Sequence, residues 1–312
     1  MAGSEWTVDS EAAGERLDKF LAAADRLGSR TRAAEALDRG KVFLNGREVG
    51  RRAAAHQLTA GDVVRLWIDR PGTARRRALG HGRPLPILYE DDVLIVVNKP
   101  AGLLAVPLDR RRHAPSVYDE LVQYLKPRGG RRPLVVHRID RDTSGIVVFA
   151  KRADVQQRLK DQFRHRSTER VYHAIVSGRL SPPSGTWRDL LTWDERELIQ
   201  KSAHPRDPRA KEAISRYRVV ESFRAASLIE VQLVTGKRNQ IRVQAGLRGH
   251  PLIGERLYVD RNQPQTLTFP RQALHASRLT LRHPVSGKPM TFDAPLADDL
   301  VDLLERFRRP SR

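Results

Sequence analysis

A polar segment that leads directly into an apolar strand constrains this chain more than any other feature. Residues 137–145 read His-Arg-Ile-Asp-Arg-Asp-Thr-Ser-Gly, and residues 146–150 read Ile-Val-Val-Phe-Ala. Charged loop residues fixed at the start of a rigid strand are where chemistry tends to occur. Arg138 and Arg141 flank Asp140 and should keep a carboxylate ionised, because nearby positive charge favours the charged form. An ionised carboxylate suits a nucleophile or a base rather than a general acid.

The same segment also allows a purely structural interpretation. An Asp before Thr-Ser-Gly often forms a turn by hydrogen-bonding its own backbone two residues on. Asp142 fits that role better than Asp140 does. Perturbed carboxylates in ion-pair networks are also commonly structural. The local sequence alone therefore leaves both interpretations of Asp140 open.

The charge balance points to a polyanionic partner. The chain has 57 Lys and Arg against 37 Asp and Glu, a formal net charge of +20. Nucleic acid is the commonest partner of so basic a protein. A membrane surface is disfavoured, because no basic amphipathic helix with a broad apolar face is evident, and no apolar run is long enough to span a bilayer. The N-terminal residues do not resemble a secretory signal, so we expect a cytoplasmic protein.

Residue usage also excludes several kinds of chemistry. The chain has no cysteine, which removes disulfides, thiolate nucleophiles, iron–sulfur clusters and cysteine-rich zinc sites. Its 10 histidines are scattered without the spacing of metal ligands, so we expect no structural metal. No P-loop or other nucleotide-binding motif is evident.

The sequence divides into three parts. Residues 14–69 read as a compact unit with two short helices and a hairpin, for which the Asn45-Gly46 pair between two short apolar runs is a strong signal. Residues 70–86 are rich in arginine, glycine and proline and predict a flexible basic linker. Residues 87–312 predict consecutive strands joined by short turns with a few helices, including helices over 117–125, 155–164, 239–247 and 298–307. That order favours an α+β fold with a mixed, largely antiparallel sheet.

The first unit resembles the S4 RNA-binding domain. The matching features are Arg-Leu-Asp-Lys-Phe-Leu at 16–21, Ser-Arg-Thr-Arg at 29–32, and Gly-Lys-Val at 40–42 leading into Asn45-Gly46. The resemblance implies a small α/β RNA-binding domain. Its candidate RNA-binding residues are Arg16, Arg30, Arg32 and Lys41. The alternative is a small helical domain with a solvated basic face.

Further polar blocks occur in the large domain. They are Asn-Lys-Pro-Ala-Gly at 98–102, Glu-Arg-Val-Tyr-His-Ala at 169–174, Thr-Gly-Lys-Arg-Asn-Gln-Ile-Arg at 235–242, and Gly-His-Pro-Leu-Ile-Gly at 249–254 followed by Tyr258. With the segment at 137–145, these ordered blocks resemble the pseudouridine synthases of the RluA type over about residues 87–304. Many relatives carry Arg-Thr-His where this chain has Lys237-Arg238-Asn239, which makes an RNA contact by Lys237 uncertain.

The resemblance implies an RNA pseudouridine synthase, an isomerase that needs no cofactor. It implies Asp140 as the essential carboxylate and Arg242 as its ion-pair partner. It implies Tyr172 as the residue that stacks on the target uracil and that can help to remove the C5 proton; a core aromatic is the alternative for Tyr172. Arg138 would fill the space that the flipped base leaves; a phosphate contact alone is the alternative. Further candidate RNA contacts are Lys237, Arg238 and Lys99. A structural role is the alternative for Lys99.

The RNA substrate is less constrained. Family members with an S4 domain mostly modify large-subunit ribosomal RNA, which we therefore expect as the substrate, with tRNA as the alternative. A non-catalytic RNA-binding factor for ribosome assembly is a competing interpretation, although the presence of Asp140, Tyr172 and Arg242 together argues against it. A carboxylate-dependent nuclease is disfavoured, because no cluster of acidic metal ligands accompanies Asp140. We expect a monomer.

Overall fold

The computed structural model separates the chain into two units, Met1–Arg83 and Pro84–Arg312. It describes residues 4–38, 41–66, 85–107, 114–128, 132–260 and 268–309. Most of the predicted basic linker at 70–86 lies outside the described residues. Within these ranges, no helix combines the length and the apolar character needed to cross a bilayer.

The first unit is a small sheet with two helices. Its elements are β1 (Ser4–Thr7), α1 (Leu17–Leu21), α2 (Arg30–Asp38), β2 (Val42–Leu44), β3 (Arg47–Val49) and β4 (Val63–Leu66). The strands lie in the order β1-β4-β2-β3. The predicted hairpin is confirmed: Asn45 and Gly46 connect β2 to β3 with φ values of 50° and 74°, the conformation that an Asn-Gly turn adopts. Leu17, Phe20 and Leu21 of α1 are buried in the core.

The second unit alternates strands with four α-helices over its described residues. The elements are β5 (Ile87–Glu90), β6 (Leu94–Lys99), α3 (Val117–Leu125), β7 (Leu134–Val135), β8 (Ser144–Ala150), α4 (Ala153–Arg164), β9 (Glu169–Ser177), β10 (Ser184–Asp194), β11 (Ile199–Ser202), β12 (Lys211–Ser222), β13 (Ala226–Leu233), α5 (Gln240–Gly246), β14 (Leu274–Arg282), β15 (Pro289–Asp293) and α6 (Asp298–Arg308). All four predicted helices are present, and α3 has the predicted bounds. The hydroxyl of Ser116 caps α3 by accepting the Asp119 N–H at 3.2 Å, which fixes where the helix begins.

One mixed sheet organises the second unit. Its described strands run β11-β10-β12-β13-β9-β14-β8-β6-β5, with β15 on β14 and β7 on β8. The pair β14 and β8 is parallel, whereas the other described strand pairs are antiparallel. The predicted α+β class with a largely antiparallel sheet is therefore confirmed.

Burial on both faces explains why residues 146–150 are continuously apolar. Ile146 and Val148 face a cluster that includes α4, whereas Val147 and Phe149 face a cluster that includes α3. A strand buried on both faces reads as an apolar run rather than as an alternation. This rigid central strand holds the polar segment that precedes it.

Candidate active site

A cleft of about 250 Å³ opens where β8, β9, β13 and β14 meet. Ala276 of β14 is the register partner of both Gly145 on β8 and Tyr172 on β9. The backbone pairing therefore places the segment 137–145 and Tyr172 on the two sides of one strand. Both contribute to the lining of the cleft, together with residues of the loop that leads from β13 into α5.

Gly145 is required by this close approach. Its φ is +113°, and a Cβ built on it would lie 2.2 Å from the carbonyl oxygen of Ala276. Glycine adopts such a φ without the steric cost that other residues incur. Gly145, the last residue of the segment 137–145, therefore lets the backbone of β8 approach β14 closely.

An ion-pair chain forms the floor of the cleft. Arg242 on α5 directs its Nη1 to Oδ2 of Asp140 at 3.2 Å. On its other edge, Nε and Nη2 of Arg242 each donate to the carboxylate of Glu255 at 2.7 Å. The Glu255 side chain has no exposed surface, whereas that of Asp140 is 28% exposed. Glu255 thus fixes the arginine from behind, and the aspartate remains accessible from the cleft.

The charges of Glu255, Arg242 and Asp140 stabilise one another. Hydrogen bonds and attraction from Arg242 lower the pKa of Glu255 although burial acts in the opposite direction. Glu255 and Asp140 together raise the pKa of Arg242. Bidentate guanidinium–carboxylate pairs are strong and have a defined geometry, so Arg242 meets Asp140 from a fixed direction. The cation beside Asp140 thus comes from 102 residues away, whereas the neighbouring Arg141 binds Asp142 at 3.1 Å.

Two buried cations anchor the loop that carries Asp140. The ammonium of Lys99 donates to the carbonyl oxygens of Pro100, Leu103 and Arg141 at 3.0, 2.7 and 2.7 Å. The prediction that Lys99 contacts RNA is wrong, because its side chain is fully buried and three carbonyl groups surround its ammonium. Its role is to hold the loop backbone, which the sequence does not distinguish from a phosphate contact.

Arg271 holds the loop from the opposite side. Its Nη1 donates to the carbonyl oxygen of Asp142 at 3.1 Å. Asp299 of α6 pairs with its Nε and Nη2 at 2.7 and 2.8 Å. The C-terminal helix is thereby connected to the loop that positions Asp140.

A buried glutamine shapes the loop before α5. Oε1 of Gln240 accepts the hydroxyl of Thr235 at 2.7 Å and the N–H of Lys237 at 2.9 Å. Its Nε2 donates to the carbonyl oxygen of Ile214 and to the hydroxyl of Ser215. This network fixes the turn at 235–240, so that Arg242 in the first turn of α5 reaches Asp140.

The remaining predicted residues of the large unit lie around the cleft. Tyr172 is largely buried, and burial raises the pKa of its phenol, so the hydroxyl stays protonated at neutral pH. Arg138 is exposed at the rim, and Lys237 is half-buried. The guanidinium of the exposed Arg238 stacks on the Trp193 ring, with Cζ 3.7 Å from the ring centroid. The structure therefore brings all of these residues to one cleft.

The predicted RNA-binding residues of the first unit lie on or next to α1, α2 and β2. Arg30 and Arg32 are exposed on α2. Arg16 precedes α1 and hydrogen-bonds Asp18 at 3.0 and 2.9 Å. Lys41 directly precedes β2 and is half-buried. An RNA-binding role for these four residues stays a prediction.

A buried histidine lies behind the loop. Nδ1 of His275 is 2.9 Å from the hydroxyl of Ser144, and its Nε2 is 3.4 Å from the carbonyl oxygen of Ala294. These partners suit a neutral ring that donates from Nε2 and accepts at Nδ1. Burial lowers the pKa of His275 to about 4.

His275 should make the stability of the fold sensitive to acid. Its pKa in the folded state lies below the unfolded value of about 6.5, so the unfolded chain takes up the proton first as the pH falls. Stability is complete above about pH 6.5 and declines between about 6.5 and 4. We expect wild type to lose about 2 kcal/mol more unfolding free energy between pH 7 and pH 5 than His275→Asn does, measured by urea unfolding. Equal losses in the two proteins would contradict this role.

Comparisons with known proteins identify the family. A model of the RNA pseudouridylate synthases matches residues 93–246. A ribosomal large subunit pseudouridine synthase D of Salmonella typhimurium is 34% identical over 313 residues, covering 97% of this chain and 93% of that protein. The chain belongs to the RNA pseudouridine synthase family. An uncharacterized RNA pseudouridine synthase of Bacillus subtilis is also 34% identical, and the match covers 97% of both proteins.

A solved structure agrees with the fold of this synthase. Human RNA pseudouridylate synthase domain containing 4 superimposes with a TM-score of 0.60 at 25% sequence identity. The match covers 72% of this chain and 93% of the human protein. The mixed, largely antiparallel sheet is thus the architecture that this synthase shares with a family member.

Sequence reasoning missed the residues that support the site. Glu255 directly follows the block at 249–254, so its position next to a family motif could have indicated a role in the site. Arg271 and Asp299 stand in no motif that we distinguished. Their function depends on contacts with residues far away in sequence, and a pattern within one segment does not encode such contacts.

Proposed function

We propose that this synthase converts uridine to pseudouridine in large-subunit ribosomal RNA, with Asp140 as the essential carboxylate. The observation that carries this proposal is the Glu255–Arg242–Asp140 chain at the floor of the cleft. It holds one accessible carboxylate in a fixed orientation in a cleft that the half-buried Tyr172 also lines. The relative from Salmonella typhimurium, named for the ribosomal large subunit, supports the choice of RNA.

The reaction is an isomerisation of one nucleotide. The bond between N1 of uracil and C1′ of ribose breaks, the base turns, and a bond forms between C5 and C1′. C5 loses its proton and N1 gains one. Asp140 acts on the ribose or on the base in this sequence. Nothing is oxidised, and the product has the composition of the substrate.

The cleft can receive one flipped base. Extruding a uridine from a stacked RNA costs on the order of a few kcal/mol. Tyr172 supplies a flat surface on which the uracil stacks, and its protonated hydroxyl favours stacking over proton abstraction. Arg138 lies at the rim, where its planar guanidinium can occupy the vacated position in the RNA. The cleft is smaller than the ~300–1,000 Å³ of typical drug-sized ligand pockets, which suits a single base.

The first unit extends RNA binding in this proposal. We assign it to the S4 type, with Arg16, Arg30, Arg32 and Lys41 as the contacts. The exposure of Arg30 and Arg32 on one helix supports this. Phosphate contacts of this kind position an RNA without reading its sequence. Action on ribosomal RNA in turn implies a cytoplasmic enzyme.

Tritium release tests the activity and the substrate together. Large-subunit ribosomal RNA and tRNA are transcribed with tritium at C5 of uridine, and the ribosomal RNA is offered both naked and assembled with ribosomal proteins. We expect release from ribosomal RNA, in either form, and none from tRNA, because base pairing and loop shape determine which uridine can enter the cleft. Asp140→Ala is the control and should give none.

The other results have distinct meanings. Release from tRNA alone would show that the enzyme assignment is right and the substrate is wrong. No release from any RNA, with RNA binding intact, would favour the non-catalytic assembly factor.

A further inference from the structure

Arg170 is a desolvated cation without a carboxylate. It lies at the start of β9 and is half-buried, with Cζ 5.8 Å from the centroid of the Phe163 ring. Its Nε is buried and has no hydrogen-bond partner. In the described part of the chain, no carboxylate lies within ion-pair distance of its guanidinium. Burial lowers the pKa of Arg170, as does the charge of Arg166.

Other buried or half-buried arginines in the described part of this unit are paired. Arg242 binds Glu255 at 2.7 Å, Arg271 binds Asp299 at 2.7 Å, and Arg248 binds Asp189 at 3.0 Å. Removing a cation from water is costly unless an anion compensates it. Arg170 therefore differs from these three arginines in lacking its anion within the protein.

The position of Arg170 connects it to the cleft. A Cβ built on Gly236 would lie 2.5 Å from Nη1 of Arg170, so the guanidinium packs directly against this glycine. Gly236 and the following Lys237 both line the cleft. A group bound at Arg170 would therefore lie beside the nucleotide that the cleft receives.

Further positive charges converge on this wall. Lys211 and Arg166 both act on Lys237 and, together with burial, lower its pKa. The nearby acids are already engaged: Glu212 pairs with Arg188, and Glu169 accepts a hydrogen bond from Gln232 at 3.1 Å. The like charges repel one another in the free protein, and an anion bound among them would relieve that repulsion.

We propose that Arg170 and Lys237 bind a phosphate of the RNA backbone adjacent to the target uridine. This inference rests on the proposed function, which supplies RNA as the ligand. A phosphodiester provides both the negative charge and the acceptor oxygens that the guanidinium lacks. The contact would fix the strand relative to the cleft while the base is flipped.

A double-mutant cycle between protein and RNA tests this site. The modified uridine is first located in the large-subunit transcript, and a stem–loop containing it is synthesised. In a set of otherwise identical RNAs, one phosphate near that uridine at a time is replaced by an uncharged methylphosphonate. Affinity for wild type and Arg170→Met is measured at constant salt, and methionine retains the apolar packing against Phe163.

We expect one linkage to interact with Arg170. Its neutralisation should weaken wild-type binding roughly tenfold to hundredfold, the range of a hydrogen bond between charged groups. The same linkage should have little effect on Arg170→Met, because the contact is already absent. Lys237→Gln, at a half-buried position that lines the cleft, should show the same pattern if Arg170→Met does not fold.

Arg224→Met is the matched control. Arg224 is exposed in the turn before β13, at the end of that strand opposite to Gly236. It should retain the full wild-type sensitivity to every linkage. If every methylphosphonate weakens binding of Arg170→Met and Lys237→Gln as much as it weakens binding of wild type, the phosphate site is disproved. The proposed function would still hold in that case, provided that wild type isomerises the RNA. If wild type modifies no RNA, the proposed function itself fails.

Discussion

Replacing Asp140 with asparagine is expected to lower the rate of pseudouridine formation by at least about 10³-fold, a barrier increase of about 4 kcal/mol. Asparagine retains the shape and a hydrogen-bond acceptor for Arg242, which lies 3.2 Å from the carboxylate. It removes the negative charge, which a nucleophile or base requires. RNA affinity should change by less than about threefold, because the large loss lies in the chemical step. Single-turnover tritium release and filter binding measure the two quantities.

Asp142→Asn is the matched control for this prediction. Asp142 stands two positions away in the same loop and binds the exposed Arg141 rather than Arg242. Surface ion pairs of this kind contribute little, so the control should retain nearly full activity. Substantial turnover by Asp140→Asn would disprove the assignment of Asp140.

Replacing Arg242 with methionine is expected to damage both stability and activity. Glu255 would remain buried without its cation, and breaking a buried ion pair from one side costs about 3–5 kcal/mol. Asp140 would also lose the group that orients it. Urea unfolding gives the first effect, and single-turnover kinetics gives the second.

The double variant Arg242→Met/Glu255→Gln separates these two effects. Glutamine can still accept the N–H groups of Arg256 and Leu257, which donate to Oε1 of Glu255 at 2.9 Å. The double variant should therefore regain most of the lost stability, since no unpaired charge remains buried. Its activity should stay low, because Asp140 still lacks its partner. Recovery of activity together with stability would show that Arg242 serves the fold alone.

Local patterns predicted those elements that local forces determine. The helix over 117–125 has its predicted bounds because Ser116 caps it and its apolar positions repeat with the helical period. The Asn45-Gly46 hairpin follows from the backbone conformations that these two residues tolerate. The pairing of β10 with β12 is not encoded in either segment alone, because the two strands are joined through the intervening β11 and their register depends on the assembled sheet.

The order of the motifs was sufficient to indicate the family and to select Asp140, Tyr172 and Arg242. It was not sufficient to distinguish Lys99 from a surface cation. Lysine has the same sequence signature whether it faces RNA or three backbone carbonyl groups. Its burial is evident only in the tertiary structure, where the loop at 100–103 and the segment around Arg141 both contact its ammonium.

The sequence by itself determined which residue types are available for chemistry, the basic character that suits RNA, and the helices and turns that short-range forces specify. Apart from the pair of Asp140 and Arg242, which the family resemblance implied, only the tertiary structure decided which charges meet. Glu255 supports Arg242 and Arg271 holds the loop through contacts that span 13 and 129 residues of sequence. The physical reason is that the strength of an ion pair depends on distance and burial. Both are set by how the sheet brings remote segments together, as it does where β14 lies between β8 and β9.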